Sequence, residues 1–94
     1  MKVVKSTHRH KLHKEYEIIV DYNKSTKDII EFNTFRRRLI KVFGPKFINR
    51  YDDYQRHDDD VRNPKWFWEE FARYGRRRLY FKSQKEWQWA QLAR

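Results

Sequence analysis

The segment Arg73-Tyr74-Gly75-Arg76-Arg77-Arg78-Leu79-Tyr80-Phe81-Lys82 decides how the chain is read, because it joins an aromatic stretch to a short strand through one glycine. Read as a strand from Arg76, successive side chains alternate between faces. Arg77, Leu79 and Phe81 then point one way and Arg76, Arg78, Tyr80 and Lys82 the other. The first set can bury. The second is a cationic strip carrying one ring, and it suits a phosphate-bearing polymer: guanidinium forks match phosphates, and a ring offers a base a platform.

On the upstream side, Asn63-Pro64 has the form of a helix cap followed by proline at the first helical position, which predicts a helix over 64–74 stopped by Gly75. Phe67, Trp68, Phe71, Ala72 and Tyr74 would form its apolar face. Trp66 falls on the far side among Lys65, Glu69, Glu70 and Arg73, so Trp66 and Arg73 are candidate contact residues. Downstream, Ser83-Gln84-Lys85-Glu86 is a capping box opening a last helix to about residue 93. Trp89, Ala90, Leu92 and Ala93 share one side of it, and Trp87 lies about 160° from Trp89 at 100° per residue, which makes Trp87 a second stacking platform.

Nearer the N-terminus, Tyr16, Ile18, Val20 and Tyr22 alternate with Glu17, Ile19 and Asp21, the period of a strand over 15–22. Ser25-Thr26-Lys27-Asp28 is a further capping box, and Gly44-Pro45 a helix stop, so a helix is predicted over 26–43. Its stripe is Ile29, Phe32, Leu39, Ile40 and Phe43, flanked by Phe35 and Val42. Arg37, Arg38 and Lys41 point away from that stripe. Arg36 falls within it, which leaves its stem along the stripe with its head in water, or its guanidinium on an acid or a ligand. Phe47 to Tyr51 fits a short strand or a helical turn, and the rest of the middle reads as a long surface loop.

The bulk numbers bound the answer. The chain has 94 residues, enough for one domain, and no cysteine, which excludes a disulfide framework and thiolate metal sites. Lysine and arginine total 23 against 13 acids, a formal charge of +10, which implies attraction to a polyanion. Aromatics make up 18% of the residues, more than a core this size needs beside its valines, isoleucines and leucines, so some rings are expected at the surface. No apolar run approaches the roughly 18 residues of a membrane span, and the start lacks a signal-peptide core, so the expected location is cytoplasmic.

Residues 1–14 carry Lys2, Lys5, Arg9, Lys11 and Lys14 with His8, His10 and His13, and no acid, as a basic flexible arm or an edge segment would. As a zinc site the histidines fail on strand alternation, which sends His13 to the face opposite His8 and His10. Asp52, Asp53, His57, Asp58, Asp59 and Asp60 have the composition of a magnesium site without a required spacing, and read as an acidic loop offsetting nearby arginines. If they did gather an ion, a metal-dependent nuclease with His57 as base would follow. With two glycines in the chain there is no phosphate-binding Gly-rich loop, and no nucleophile elbow occurs. No cofactor and no catalytic residue is expected.

The order of strand and Ser-x-x-Glu helix after Gly75 faintly resembles the third strand and second helix of an RNA-recognition motif. That motif's glycine and aromatic pattern is absent from Arg76 to Lys82, and no fourth strand follows, so no family is assigned. The expectation is one small α+β domain over 15–94, a short sheet of two to three strands with about three helices packed on it. Its first functional reading is a non-enzymatic protein binding RNA or single-stranded DNA through Arg36, Arg37, Arg38, Lys41, Arg73, Arg76, Arg78 and Lys82. Trp66, Tyr80 and Trp87 would supply the stacking. The alternative, of a sort phages encode, is a small inhibitor or adaptor docking on an acidic protein surface. Exposed rings also leave a homodimer open.

Overall fold

The computed structural model describes residues 1–49, 60–71 and 75–94. Over these the chain runs β1 (Lys2–Lys5), β2 (Ile18–Tyr22), α1 (Thr26–Phe43), β3 (Phe47–Asn49), β4 (Asp60–Arg62), β5 (Trp66–Phe71), β6 (Arg76–Phe81) and α2 (Gln84–Gln91). The class is α+β. Among the described residues there are six strands and two helices, which corrects the expected two to three strands and about three helices. No helix among these residues is long and apolar enough to cross a membrane.

β1, β2, β6 and β5 form one antiparallel sheet in that order, and β3 pairs with β4 in a separate ribbon. Because β2 and β5 both run antiparallel to the β6 between them, they are parallel to each other, and β2–α1–β5 is a split β-α-β unit. β1 lies at the sheet edge beside β2 and runs parallel to β6.

The helix expected over 64–74 is strand β5, with residues 72–74 outside the described set. Trp66-Phe67-Trp68 carries an uninterrupted apolar run because both sides of the sheet are covered there, so alternation is invisible, and aromatic residues favour a pleated, half-buried surface. Asn63 does not cap a helix. It is fully buried, and its amide donates to the carbonyls of Phe43 at 2.8 Å and Pro45 at 3.0 Å while its Oδ1 accepts from the Lys65 N–H at 2.9 Å. Gly75 stands at the start of β6 with φ +65°, a left-handed conformation that glycine adopts without strain.

Helix α1 starts as expected: Ser25 Oγ accepts the Asp28 N–H at 3.2 Å, and Gly44, at φ +94°, closes the other end through its N–H to the Ile40 carbonyl at 2.9 Å. Its buried stripe is Phe32, Phe35 and Leu39, with Ile40 exposed, so the helix is rolled toward α2, where Phe35 meets the Trp87 ring at 6.4 Å. Burying residues Ile18, Val20, Tyr22, Leu79, Phe81 and Trp66 of the sheet against both helices makes the main core. A second cluster lies on the other face, where Leu12 and Tyr16 close over Ile19, Phe67 and Tyr80.

Replacing buried Asn63 with alanine takes a partner from the carbonyls of Phe43 and Pro45 and from the Lys65 N–H, so Asn63→Ala should cost about 2–4 kcal/mol in a urea titration. High pH tests the second cluster: burial pushes the hydroxyls of Tyr16 and Tyr80 up to about 12, with nearby Glu15 and Glu69 adding to it. These groups are neutral in the fold and ionise near 10 when unfolded, so stability is full below pH about 10 and falls between there and about 12. Tyrosinate absorbance should therefore rise together with the loss of far-ultraviolet circular dichroism.

Candidate nucleic-acid interface

The cations of the expected strip divide once strand register is known. Arg76, Arg78 and Tyr80 do share the face of β6 turned away from the helices. Lys2, Asp21, Arg78 and Glu69 stand in one row across the four strands, so opposite charges alternate along it. Arg78 Nε donates to Asp21 Oδ1 at 2.6 Å, and the Tyr80 hydroxyl donates to the Glu69 carboxylate. Tyr80 is 2% exposed and belongs to the second core cluster, which removes it as a stacking platform. Arg76 and Lys82 stay exposed at the two ends of the strip, Arg76 opposite a half-exposed Phe71.

Arg77, on the helix side of β6, shares Glu70 with Arg36: Arg77 Nε lies 2.9 Å and Arg36 Nη1 3.5 Å from its carboxylate. The Arg36 guanidinium also lies 4.6 Å from the centre of the Trp68 ring. It is a packing and pairing group within the fold, not a free phosphate ligand. Lys46 sits near the same indole, its ammonium 4.3 Å from Trp68 and 4.7 Å from Phe67. Those two rings belong to opposite faces of β5, so the ammonium stands at the strand's edge, where it opposes edge-to-edge pairing. Burial pulls its pKa below that of an ordinary lysine, and Arg36 adds to this while Glu69 works against it.

Two more expected platforms are inside. Trp66 is fully buried with its indole N–H on the Gly44 carbonyl at 2.9 Å, and Trp87 is 7% exposed against Phe81 and Phe35. Their places follow from structure the sequence pattern hid. Trp66 is on the helix-facing side of a strand. In α2 the regular helix ends at Gln91, so Leu92 never counted toward the helical stripe, and Trp87 with Ala90 takes the core side. Trp89 is consequently the indole in solvent, 58% exposed. The 160° separation of the two tryptophans already required one of them to face out, and that was the signal for Trp89.

The remaining candidates gather on the helical side. Arg37, Arg38 and Lys41 are exposed on the outer surface of α1 with Lys27, and Lys65 and Lys85 stand near its C-terminal end. None of these has a carboxylate within ion-pair distance among the described residues. α2 runs antiparallel beside α1. Arg94 pairs with Glu31 and Arg38 reaches the Ala93 carbonyl at 3.4 Å, whereas Trp89 and Lys85 lie at the other end beside Val42 and Phe43. There the two helices and Lys65 enclose a groove of about 180 Å³. A wider groove of about 480 Å³, lined in part by Lys27, Ile30, Arg38 and Arg94, opens at the opposite end.

Arg73 lies outside the described residues, as do Asp52, Asp53, His57, Asp58 and Asp59. In the basic segment, the His8 and His13 rings meet edge to face at 5.3 Å, and the His10 ring accepts the Thr7 N–H at 2.9 Å. Among the described residues no three metal-ligating side chains come together. No protein-family model, no curated protein and no solved structure matches this chain.

The two tryptophans of α2 separate packing from exposure. Trp87→Ala should cost about 3–5 kcal/mol, as deleting a buried aromatic does, while Trp89→Ala should stay within about 0.5 kcal/mol of the parent in the same chemical denaturation.

Proposed function

We propose that this chain binds a single-stranded nucleic acid, RNA or DNA, through its helical side, without catalysing a reaction. The observation that carries the reading is the exposure of Lys27, Arg37, Arg38, Lys41, Lys65 and Lys85 along the helical side, Lys65 and Lys85 beside an exposed indole, with no carboxylate paired to any of the six among the described residues. A formal charge of +10 adds long-range attraction to a polyanion. Arg78 drops out of the ligand set because Asp21 already neutralises it, and Arg76 and Lys82 are left as auxiliary contacts at the far face.

The second reading is the adaptor, and a specific feature favours it: Ile30, Ile40, Val42 and Leu92 are exposed in the same helical layer as Trp89. A protein partner with an acidic rim would cover these apolar groups, which a phosphate backbone has no use for.

Titration with a single-stranded oligonucleotide at several salt concentrations distinguishes them. Four to six neutralised phosphates give a slope of log K against log salt of about −3 to −4. Substituting Arg37, Arg38 and Lys41 together with glutamine should flatten that slope by about 2, whereas Arg78→Gln should lower stability and leave the slope within one phosphate's worth. Absence of nucleic-acid binding, with salt-tolerant binding to one acidic protein, would establish the adaptor instead.

A further inference from the structure

We infer that the groove between Trp89 and the C-terminal end of α1 is a stacking subsite for one unpaired base, with Lys65 and Lys85 placed for the phosphates on either side of it. This rests on the nucleic-acid reading above and names what that surface selects. Size is the first argument. About 180 Å³ falls below the roughly 300–1,000 Å³ of pockets that enclose a drug-sized molecule, and is scaled to a single planar ring system.

Chemistry is the second. Trp89 offers a large exposed ring, Val42 and Phe43 supply an apolar wall, and Lys65 and Lys85 stand at the rim. Of the other tryptophans, Trp66 and Trp87 are buried and Trp68 is half-buried, so Trp89 is the tryptophan most open to stack on a ligand. Glu86 is the one acid in the lining. Burial opposes its charge, but the Ser83 hydroxyl, a backbone N–H and nearby Lys82 and Lys85 outweigh that and hold its carboxyl below the ordinary range. The carboxylate is thus tied to the first turn of α2 and set against two lysines, so the rim keeps a positive balance.

A duplex has no base free to enter such a groove, whereas every unpaired base has a face to stack. The subsite therefore turns a general attraction for phosphate into a preference for single strands, with little dependence on sequence.

The test uses the full chain and its Trp89→Ala, Trp89→Phe and Lys85→Gln variants. Each is checked for native circular dichroism and titrated with a single strand and a duplex of equal length over a salt series. Trp89→Ala should weaken single-strand binding about 5- to 150-fold, the range of one base–aromatic stack, and leave duplex binding and the salt slope unchanged. Trp89→Phe should keep most of the affinity but lose the fluorescence quenching that strand binding causes in the parent. Lys85→Gln should flatten the salt slope by about one phosphate's worth. Equal single-strand affinity in Trp89→Ala and the parent, or an equal loss toward single strand and duplex, overturns the subsite while the helical-side reading stands. If the parent binds neither polymer, both fall together.

Discussion

The buried amide of Asn63 is the contact through which the parts of this fold meet. Its side chain holds the carbonyls on both sides of Gly44 and receives the N–H of Lys65, its backbone N–H goes to the Lys46 carbonyl at 2.9 Å, and its own carbonyl accepts the Tyr16 hydroxyl at 2.6 Å. The end of α1, the start of β5 and the segment beneath the sheet are thereby fixed to one residue. Trp66 reinforces the junction from the core side by donating its indole N–H to the Gly44 carbonyl. Satisfying so many backbone groups at one buried point explains why a turn containing glycine and proline can sit against the core without orphaned polar atoms.

What could be read in advance was local. α1 announces itself at both ends, through a serine cap and a glycine stop, and β2 and β6 lie where period-two patterning puts them. What could not be read was covered on two sides. β5 lies against the helices on one face and against Tyr16, Tyr80 and Phe47 on the other, so its aromatic run carries no alternation, and Asn63-Pro64 before it mimics a helix start. The same double covering buried Tyr80, whose position in a single strand looked solvent-facing. For the candidate site, Arg37, Arg38 and Lys41 were legible from the helical wheel. Trp89 was not, because Leu92 and Ala93 extend an apolar stripe in the sequence past the point where α2 ends.

Sheet order then decides which surface is available. A four-stranded antiparallel sheet with helices on one face is the scaffold on which RNA-recognition motifs stack bases against the open face. Here that face is partly occupied by Leu12 and Tyr16, and its central row of Lys2, Asp21, Arg78 and Glu69 is largely self-neutralising. β1 takes the sheet edge beside β2, so the segment that follows it lies where it can cover the sheet. An open aromatic platform and a packed second cluster cannot share one set of residues.

Charge completes the argument. Among the described carboxylates, Asp21, Glu70, Glu15 and Glu31 each pair with an arginine of the sheet, the β4 ribbon or the C-terminal end. Of those arginines Arg77 is buried and Arg78 half-buried, and there an unpaired guanidinium would cost far more than it does in water, whereas Arg62 and Arg94 are exposed. Exposed cations need no such partner, since water and salt screen them cheaply. The acids beside Arg77 and Arg78 answer to burial, and surplus positive charge is left on surfaces that packing does not require. On α1 and its surroundings that surplus lies beside an indole excluded from the core by its neighbour two positions earlier. The helical side is the part of the molecule whose composition the fold itself does not explain.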